Sequence, residues 1–149
     1  MEIIEFIPKD RIRIDSTSVT WQEAVESVGE ILLESEVIEE RYIAAMVETV
    51  NELGPYIVIT PGVAIAHARP EDGVIKPGLA CLKTVTPIFF GNKENDPVNI
   101  VFGLAAKDHE QHVDSLRKIA ELLMDDNKKA RLLSAKNVSE ITEVLNSIS

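Results

Sequence analysis

The sequence of 149 residues has a single cysteine, Cys81, so no intrachain disulfide can staple it and its stability must come from a packed core. That usage suits a reducing compartment, and a lone thiol in an apolar stretch reads as a core residue. No apolar run approaches the ~20 residues that span a bilayer, and no basic region followed by an apolar signal segment opens the chain. The expectation is a soluble, cytoplasmic protein without direct membrane insertion. Basic residues are also scarce. Fifteen Lys and Arg stand against 25 Asp and Glu, and the formal charge of −10 disfavours nucleic acid as a partner and favours a protein with a basic face. There is no internal repeat, low-complexity tract or linker. With 45% apolar and 27% charged residues, the chain fits one domain, 1–149, around one sizeable core.

Within that frame the periodicities are readable. An apolar start, Ile3, Ile4, Phe6 and Ile7, leads to an alternation over 11–14 that predicts a short, half-exposed strand. Thr20 with Glu23 three residues on makes a capping box for a helix over 21–34, with Trp21, Val25, Val28 and Leu32 on one stripe. A second helix over 39–53 carries the stripe Ile43, Met46, Val50 and Leu53, and Gly54 closes it. Short strands follow over 56–59, 63–66 and 79–85. Val98-Asn-Ile-Val-Phe-Gly-Leu-Ala105 is nearly continuous in apolar residues, as a central strand covered on both faces requires. Asp108 with Gln111 and Asn137 with Glu140 can cap helices running to about 124 and 148, with a shorter one over 127–133 between them. Helices before and after a strand-rich middle predict an α/β fold in which a mixed β-sheet is sandwiched between helical layers.

The stretch 54–74 is the most distinctive. Pro55 prevents the preceding helix from continuing, Pro61-Gly62 suits a type II turn, and 63–66 then delivers His67 at a strand end. Ala64, Ala66 and Ala68 put little bulk around the ring, leaving room for a macromolecule or a phosphate. Pro70 biases Arg69 towards an extended conformation, which sets its guanidinium on the same side as the imidazole, where its fork of donors suits an anion. On residues alone, the first reading of His67 is a core or rim histidine satisfied by packing, and the functional reading comes second to it. A second constellation, Lys107-Asp-His-Glu-Gln-His112, places His109 and His112 on neighbouring surface at a helix start, where free N–H groups favour an anion. His112 continues into Leu116, Ile119 and Leu123 at helical spacing, so it edges the core-facing stripe, and on residues alone its first reading is a partly buried histidine holding the helix end.

Three segments, Gly-Pro-Tyr-Ile-Val-Ile, Pro-Gly-Val-Ala and His-Ala-Arg-Pro-Glu-Asp-Gly-Val, resemble the active-site signature of the enzyme IIA components of the bacterial phosphoenolpyruvate-dependent sugar phosphotransferase system (PTS). The likeness is to the fructose/mannitol superfamily and within it to the ascorbate-type branch. The resemblance implies the type-2 IIA fold and a phosphoryl carrier of sugar uptake. His67 would accept phosphate from the carrier protein HPr on Nε2 and pass it to a cysteine of a cognate enzyme IIB, which serves a membrane IIC component. It implies that His112, in His112-Val-Asp-Ser-Leu116, is the supporting histidine beside the phosphorylated one, and that His109, which has no counterpart in the family, faces solvent. Two departures stand out: Ala66 occupies a position that is usually proline, and Met46-Val-Glu-Thr49 lacks the helix arginine of the mannitol-type branch, a role Arg69 is placed to take. The chemistry itself suits imidazole, which is nucleophilic near its ordinary pKa of ~6.5 and releases phosphate more readily than Ser, Thr or Tyr. No metal or organic cofactor is required. Two other readings are a regulatory module whose His67 phosphorylation state signals to a regulator, and a metal site from His67, His109 and His112, for which the spacing is a weak signal.

Overall fold

The computed structural model describes residues 7–146. The apolar start at Ile3, Ile4 and Phe6 and the expected end of the last helix beyond residue 146 lie outside the described residues. Five strands form one sheet in the order β1-β4-β5-β3-β2: β1 (Ile12–Asp15), β2 (Val58–Thr60), β3 (Val63–Ala66), β4 (Gly78–Ile88) and β5 (Val98–Ala105). β1 runs parallel to β4 and β3 parallel to β5, while β4–β5 and β2–β3 are antiparallel, so the sheet is mixed as expected. β5 lies at its centre.

Two helical layers cover the sheet. On one face pack α1 (Trp21–Glu34) and α2 (Arg41–Leu53), and their Val25, Val28, Leu32 and Met46 share a core with Ala64, Ala66, Leu82 and Val101 of the strands. On the other, α3 (His109–Met124), α4 (Asp126–Ser134) and α5 (Val138–Asn146) bring Ile119, Leu122, Leu132 and Ile141 against Val63, Ile65, Cys81, Ile100 and Phe102. Alternate residues of β3, β4 and β5 thus enter opposite cores, as the period of two requires. Cys81 is a fully buried core thiol, and burial pushes its pKa up to about 12.

Local chemistry sets the element ends. The capping box of α1 forms as read: the Thr20 hydroxyl accepts the Glu23 N–H at 3.2 Å, and the Glu23 carboxylate accepts the Thr20 N–H at 3.1 Å. Asp108 caps α3 through the Gln111 N–H at 2.8 Å, and Asn137 caps α5 through the Glu140 N–H at 2.9 Å. Pro61-Gly62 makes the two-residue turn between β2 and β3, with Gly62 at φ 88°, a conformation that favours glycine.

Several expectations need correction. Residues 55–57 form a single 3₁₀ turn and β2 starts only at Val58, because Pro55 at the first turn position suits a helical turn better than a ladder. β4 runs on to Ile88, past Pro87. Its pairing with β1 ends at Thr84, so the missing proline N–H leaves no rung of that ladder empty. α4 begins at Asp126 because Asp125 caps it, accepting the Asn127 and Lys128 N–H groups. In α2 the buried positions are Tyr42, Met46 and Val50, whereas Ile43 is half-buried and Leu53 is 58% exposed. Ala64 and Ala66 are small for a different reason from the one read. Both are buried under α1 and α2, so they let helices approach the sheet and leave only Ala68 beside the ring.

Candidate active site

Parallel pairing of β3 with β5 places Ala66 opposite Gly103, and so brings the carboxyl ends of the two strands side by side. The chain leaving β3 is His67. The chain leaving β5 runs through Ala106 to the Asp108 cap and the first turn of α3, which holds His112. A crevice outside the carboxyl ends of strands is the usual place for chemistry in α/β sheets. Here it brings together two histidines 45 positions apart, with ring centroids 5.2 Å apart and planes at 59°. Both are half-buried, so each ring is anchored on one side and open on the other.

The tautomer of His67 follows from its neighbour. Its Nδ1 lies 3.3 Å from the Ile65 carbonyl oxygen. A carbonyl can only accept, so Nδ1 carries the proton and donates, leaving Nε2 with its lone pair. His112 is shifted towards its neutral form. Burial lowers its pKa from the ordinary value, and the neighbouring His67 and His109 lower it further. At pH 7 His112 is therefore weighted towards its neutral form, while the hydrogen bond at Nδ1 turns the bare Nε2 of His67 outward.

His67 stands between two clefts. One, of about 370 Å³, is lined by Ala68, Arg69, Ala106, Asp108, His109 and His112. The other, of about 360 Å³, lies against α2 and is lined by Glu48, Thr49, Glu52, Leu53, Arg69 and Asp72. His109 is exposed, as expected, and borders the first cleft. Among the described residues, no group of three His, Cys, Asp or Glu is arranged to hold a metal ion, so the metal reading has no geometry behind it. Arg69 is extended (φ −85°, ψ 154°), but its side chain is 76% exposed and turned to carboxylates, with Nε 3.5 Å from Asp72 and 3.9 Å from Glu71. The structure brings Arg69 to both clefts without joining it to the imidazole. Thr49 and Glu48 take the α2 side of the site. The Thr49 hydroxyl is turned back onto the Ala45 carbonyl at 2.9 Å, and no cation stands among the residues α2 contributes to that cleft.

Sequence reasoning missed Tyr42. Its ring is fully buried, and its hydroxyl accepts the Ala68 N–H at 2.9 Å and donates to the Leu104 carbonyl at 2.8 Å. The available signal was its spacing of four from Met46, which offers a second stripe along α2. Asp72 was read only as part of a turn. Its carboxylate also accepts the Arg69 N–H at 3.0 Å and so holds the loop after His67 in shape.

The chain matches the family described as the phosphoenolpyruvate-dependent sugar phosphotransferase system, EIIA 2, over residues 5–148. It is 36% identical over 135 residues to the ascorbate-specific PTS system EIIA component of Escherichia coli (strain K12), covering 90% of this chain and 88% of that protein. Among solved structures, the mannitol-specific cryptic phosphotransferase enzyme IIA from Escherichia coli superposes with a TM-score of 0.85 at 31% identity, covering 98% of this chain and 99% of that one. The mannitol enzyme IIA in complex with phosphorylated enzyme IIB, also from Escherichia coli, gives 0.82 at 26% identity, covering 93% and 96%.

Proposed function

The chain belongs to the EIIA 2 family of the phosphoenolpyruvate-dependent sugar phosphotransferase system, and on that premise we propose that it is the cytoplasmic phosphoryl carrier of an ascorbate-type system, with His67 as the phosphorylated residue. The observation that carries this reading is the hydrogen bond from His67 Nδ1 to the Ile65 carbonyl, which leaves Nε2 as a bare nucleophile at the mouth of two clefts. In the first step the Nε2 lone pair attacks the phosphorus of phospho-HPr. The new N–P bond forms as the donor's N–P bond breaks, and the donor nitrogen keeps the electron pair. The Nδ1 proton stays in place, so the phosphorylated ring is cationic and its charge is held against the Ile65 carbonyl. In the second step a cysteine thiolate of the cognate IIB attacks the same phosphorus, an S–P bond forms, and the electron pair returns to Nε2.

Catalysis of such a step is positioning plus stabilisation of the charge on three non-bridging oxygens. His112, 5.2 Å from His67 between ring centroids, is the supporting donor. Arg69 is the second. Its contacts to Asp72 and Glu71 are long and exposed, and such ion pairs are worth ~0–1 kcal/mol, so exchanging them for phosphoryl oxygens costs little. The whole chain then acts as one IIA unit that serves a membrane IIC component through IIB.

The test is incubation with phosphoenolpyruvate, enzyme I and HPr, followed by mass spectrometry under neutral conditions. An acid-labile phosphate on His67 that leaves when an ascorbate-type IIB is added is the expected result. Absence of label overturns the assignment. A label retained against every IIB offered makes the protein a regulatory module instead.

A further inference from the structure

The mechanism above uses nothing from α2, yet the one polar group that α2 buries beneath the site is fully engaged there. Tyr42 occupies the first turn of α2, and its ring is part of the core. Its hydroxyl accepts the N–H of Ala68, the residue after His67, at 2.9 Å. It donates to the Leu104 carbonyl at 2.8 Å, and the Ala68 carbonyl lies 3.2 Å away on the same proton. The β3–β5 ladder ends with Ala66 opposite Gly103, so the backbone join between the two segments stops just before His67. The Tyr42 hydroxyl supplies the next tie beyond it. One end holds the peptide that follows His67, and the other holds Leu104, the last residue but one of β5, before the chain runs to His112.

We propose that Tyr42 is a positioning residue, whose hydroxyl sets the orientation and spacing of His67 against His112 by gripping both segments that carry them. A phenylalanine would fill the same apolar space, so only the hydroxyl distinguishes this role from packing. Burial, followed by the nearby charge of Asp72, pushes its pKa up to about 12, and it remains a donor throughout the working range of pH. A hydroxyl buried among apolar residues is strengthened as a hydrogen-bonding group by its surroundings and strongly penalised if left unpaired, which fixes its partners. Because Ala68 N–H is held in this bond, the plane of the peptide after His67 is set. That plane fixes the backbone on the carboxyl side of His67, from which the ring projects towards the Ile65 carbonyl.

The kinetic part of this inference rests on the phosphocarrier reading, and the spectroscopic part does not. Tyr42→Phe is compared with the parent by ¹⁵N imidazole shifts of His67 and His112 across pH, and by transfer from phospho-HPr. The parent is expected to show the Nδ1–H tautomer at His67, and the variant a mixture of tautomers. In the variant kcat is expected to fall by roughly 10- to 100-fold with KM for phospho-HPr little changed, as loss of fine alignment does. A lower melting temperature with parental tautomer and parental kcat overturns the proposal, because a purely structural tyrosine gives that result. If the parent accepts no phosphate, the carrier assignment fails while the ¹⁵N comparison still decides the role of Tyr42. If Tyr42→Phe does not fold, hydrogen exchange in the parent decides: strong protection of the Ala68 amide supports the grip, and exchange at the rate of a free loop amide overturns it.

Discussion

A ring that carries phosphate must offer one bare nitrogen and keep the other protonated, and at His67 a single backbone carbonyl meets both demands. His67→Ala is expected to fold as the parent does and to accept no phosphate, since the half-buried ring adds little to the core. Equal labelling of parent and variant by mass spectrometry would move the carrier elsewhere. His112→Ala should still be labelled at His67, but ~10²–10³ times more slowly, the usual loss when one preorganised donor is removed. His112→Gln, which retains a donor of similar reach, should recover part of that rate in rapid-quench measurements. Arg69→Ala should slow transfer while leaving stability within ~0.5 kcal/mol, because its ion pairs are exposed. A rate unchanged and insensitive to salt returns Arg69 to a solvent-facing role. The lowered pKa of His112 has its own consequence. As pH falls below the ordinary value of 6.5, the unfolded chain binds the proton first, so stability is present above that pH and is lost as pH falls through the lowered folded value. Denaturant melts from pH 7.5 to 5 should show this loss in the parent and a shallower slope in His112→Gln.

At the scale of elements, the sheet and its covering helices depend on close approach at a few positions, and Gly103 is the tightest of them near the site. A Cβ there would lie 3.0 Å from Val28 Cγ2 and 3.2 Å from Leu32 Cδ1 of α1. Gly103→Ala should therefore cost ~1–3 kcal/mol by overpacking, read as a drop in melting temperature. An unchanged melt would show that α1 can back away from the sheet. What the sequence revealed at this scale was what is locally encoded. The Thr20–Glu23 box fixed the start of α1 because its partners are three residues apart, and β5 was recognisable because a strand covered on both faces leaves no polar alternation. The face of α2 was not recoverable in this way. The stripes through Ile43 and through Tyr42 both contain Met46 and Val50, and what separates them is a contact between Tyr42 and Ala68, 26 positions on. Ala64 and Ala66 misled for a related reason: smallness is the same signal whether it admits a ligand or a helix. Each histidine could be set at an element end from local signals, but their meeting depends on the β3–β5 register, and only the family resemblance supplied the pair in advance.

The whole molecule carries a formal charge of −10, and part of that charge surrounds the site. Glu48, Glu52, Asp72 and Asp108 line the two clefts beside His67, with Arg69 the only Lys or Arg lining either among the described residues. An anionic rim of this kind attracts a partner with a basic face and acts over distances set by the Debye length, ~10 Å at 0.1 M salt and ~3 Å at 1 M. The chemical step is different in kind. On the proposed mechanism it takes place at one nitrogen between positioned donors, once the partner has covered the clefts, where bulk salt has little reach. Salt should therefore act on encounter and not on transfer. Raising ionic strength from about 0.05 to 0.5 M is expected to lower kcat/KM for phospho-HPr by roughly 10-fold or more, with kcat nearly constant. Glu48→Lys with Glu52→Lys should lower kcat/KM at low salt and flatten its salt dependence, while the ¹⁵N signature of His67 stays parental. If kcat/KM is flat with salt in the parent, docking is governed by apolar contact instead. Leu53, 58% exposed beside the two glutamates, is then the residue whose truncation to alanine should weaken it.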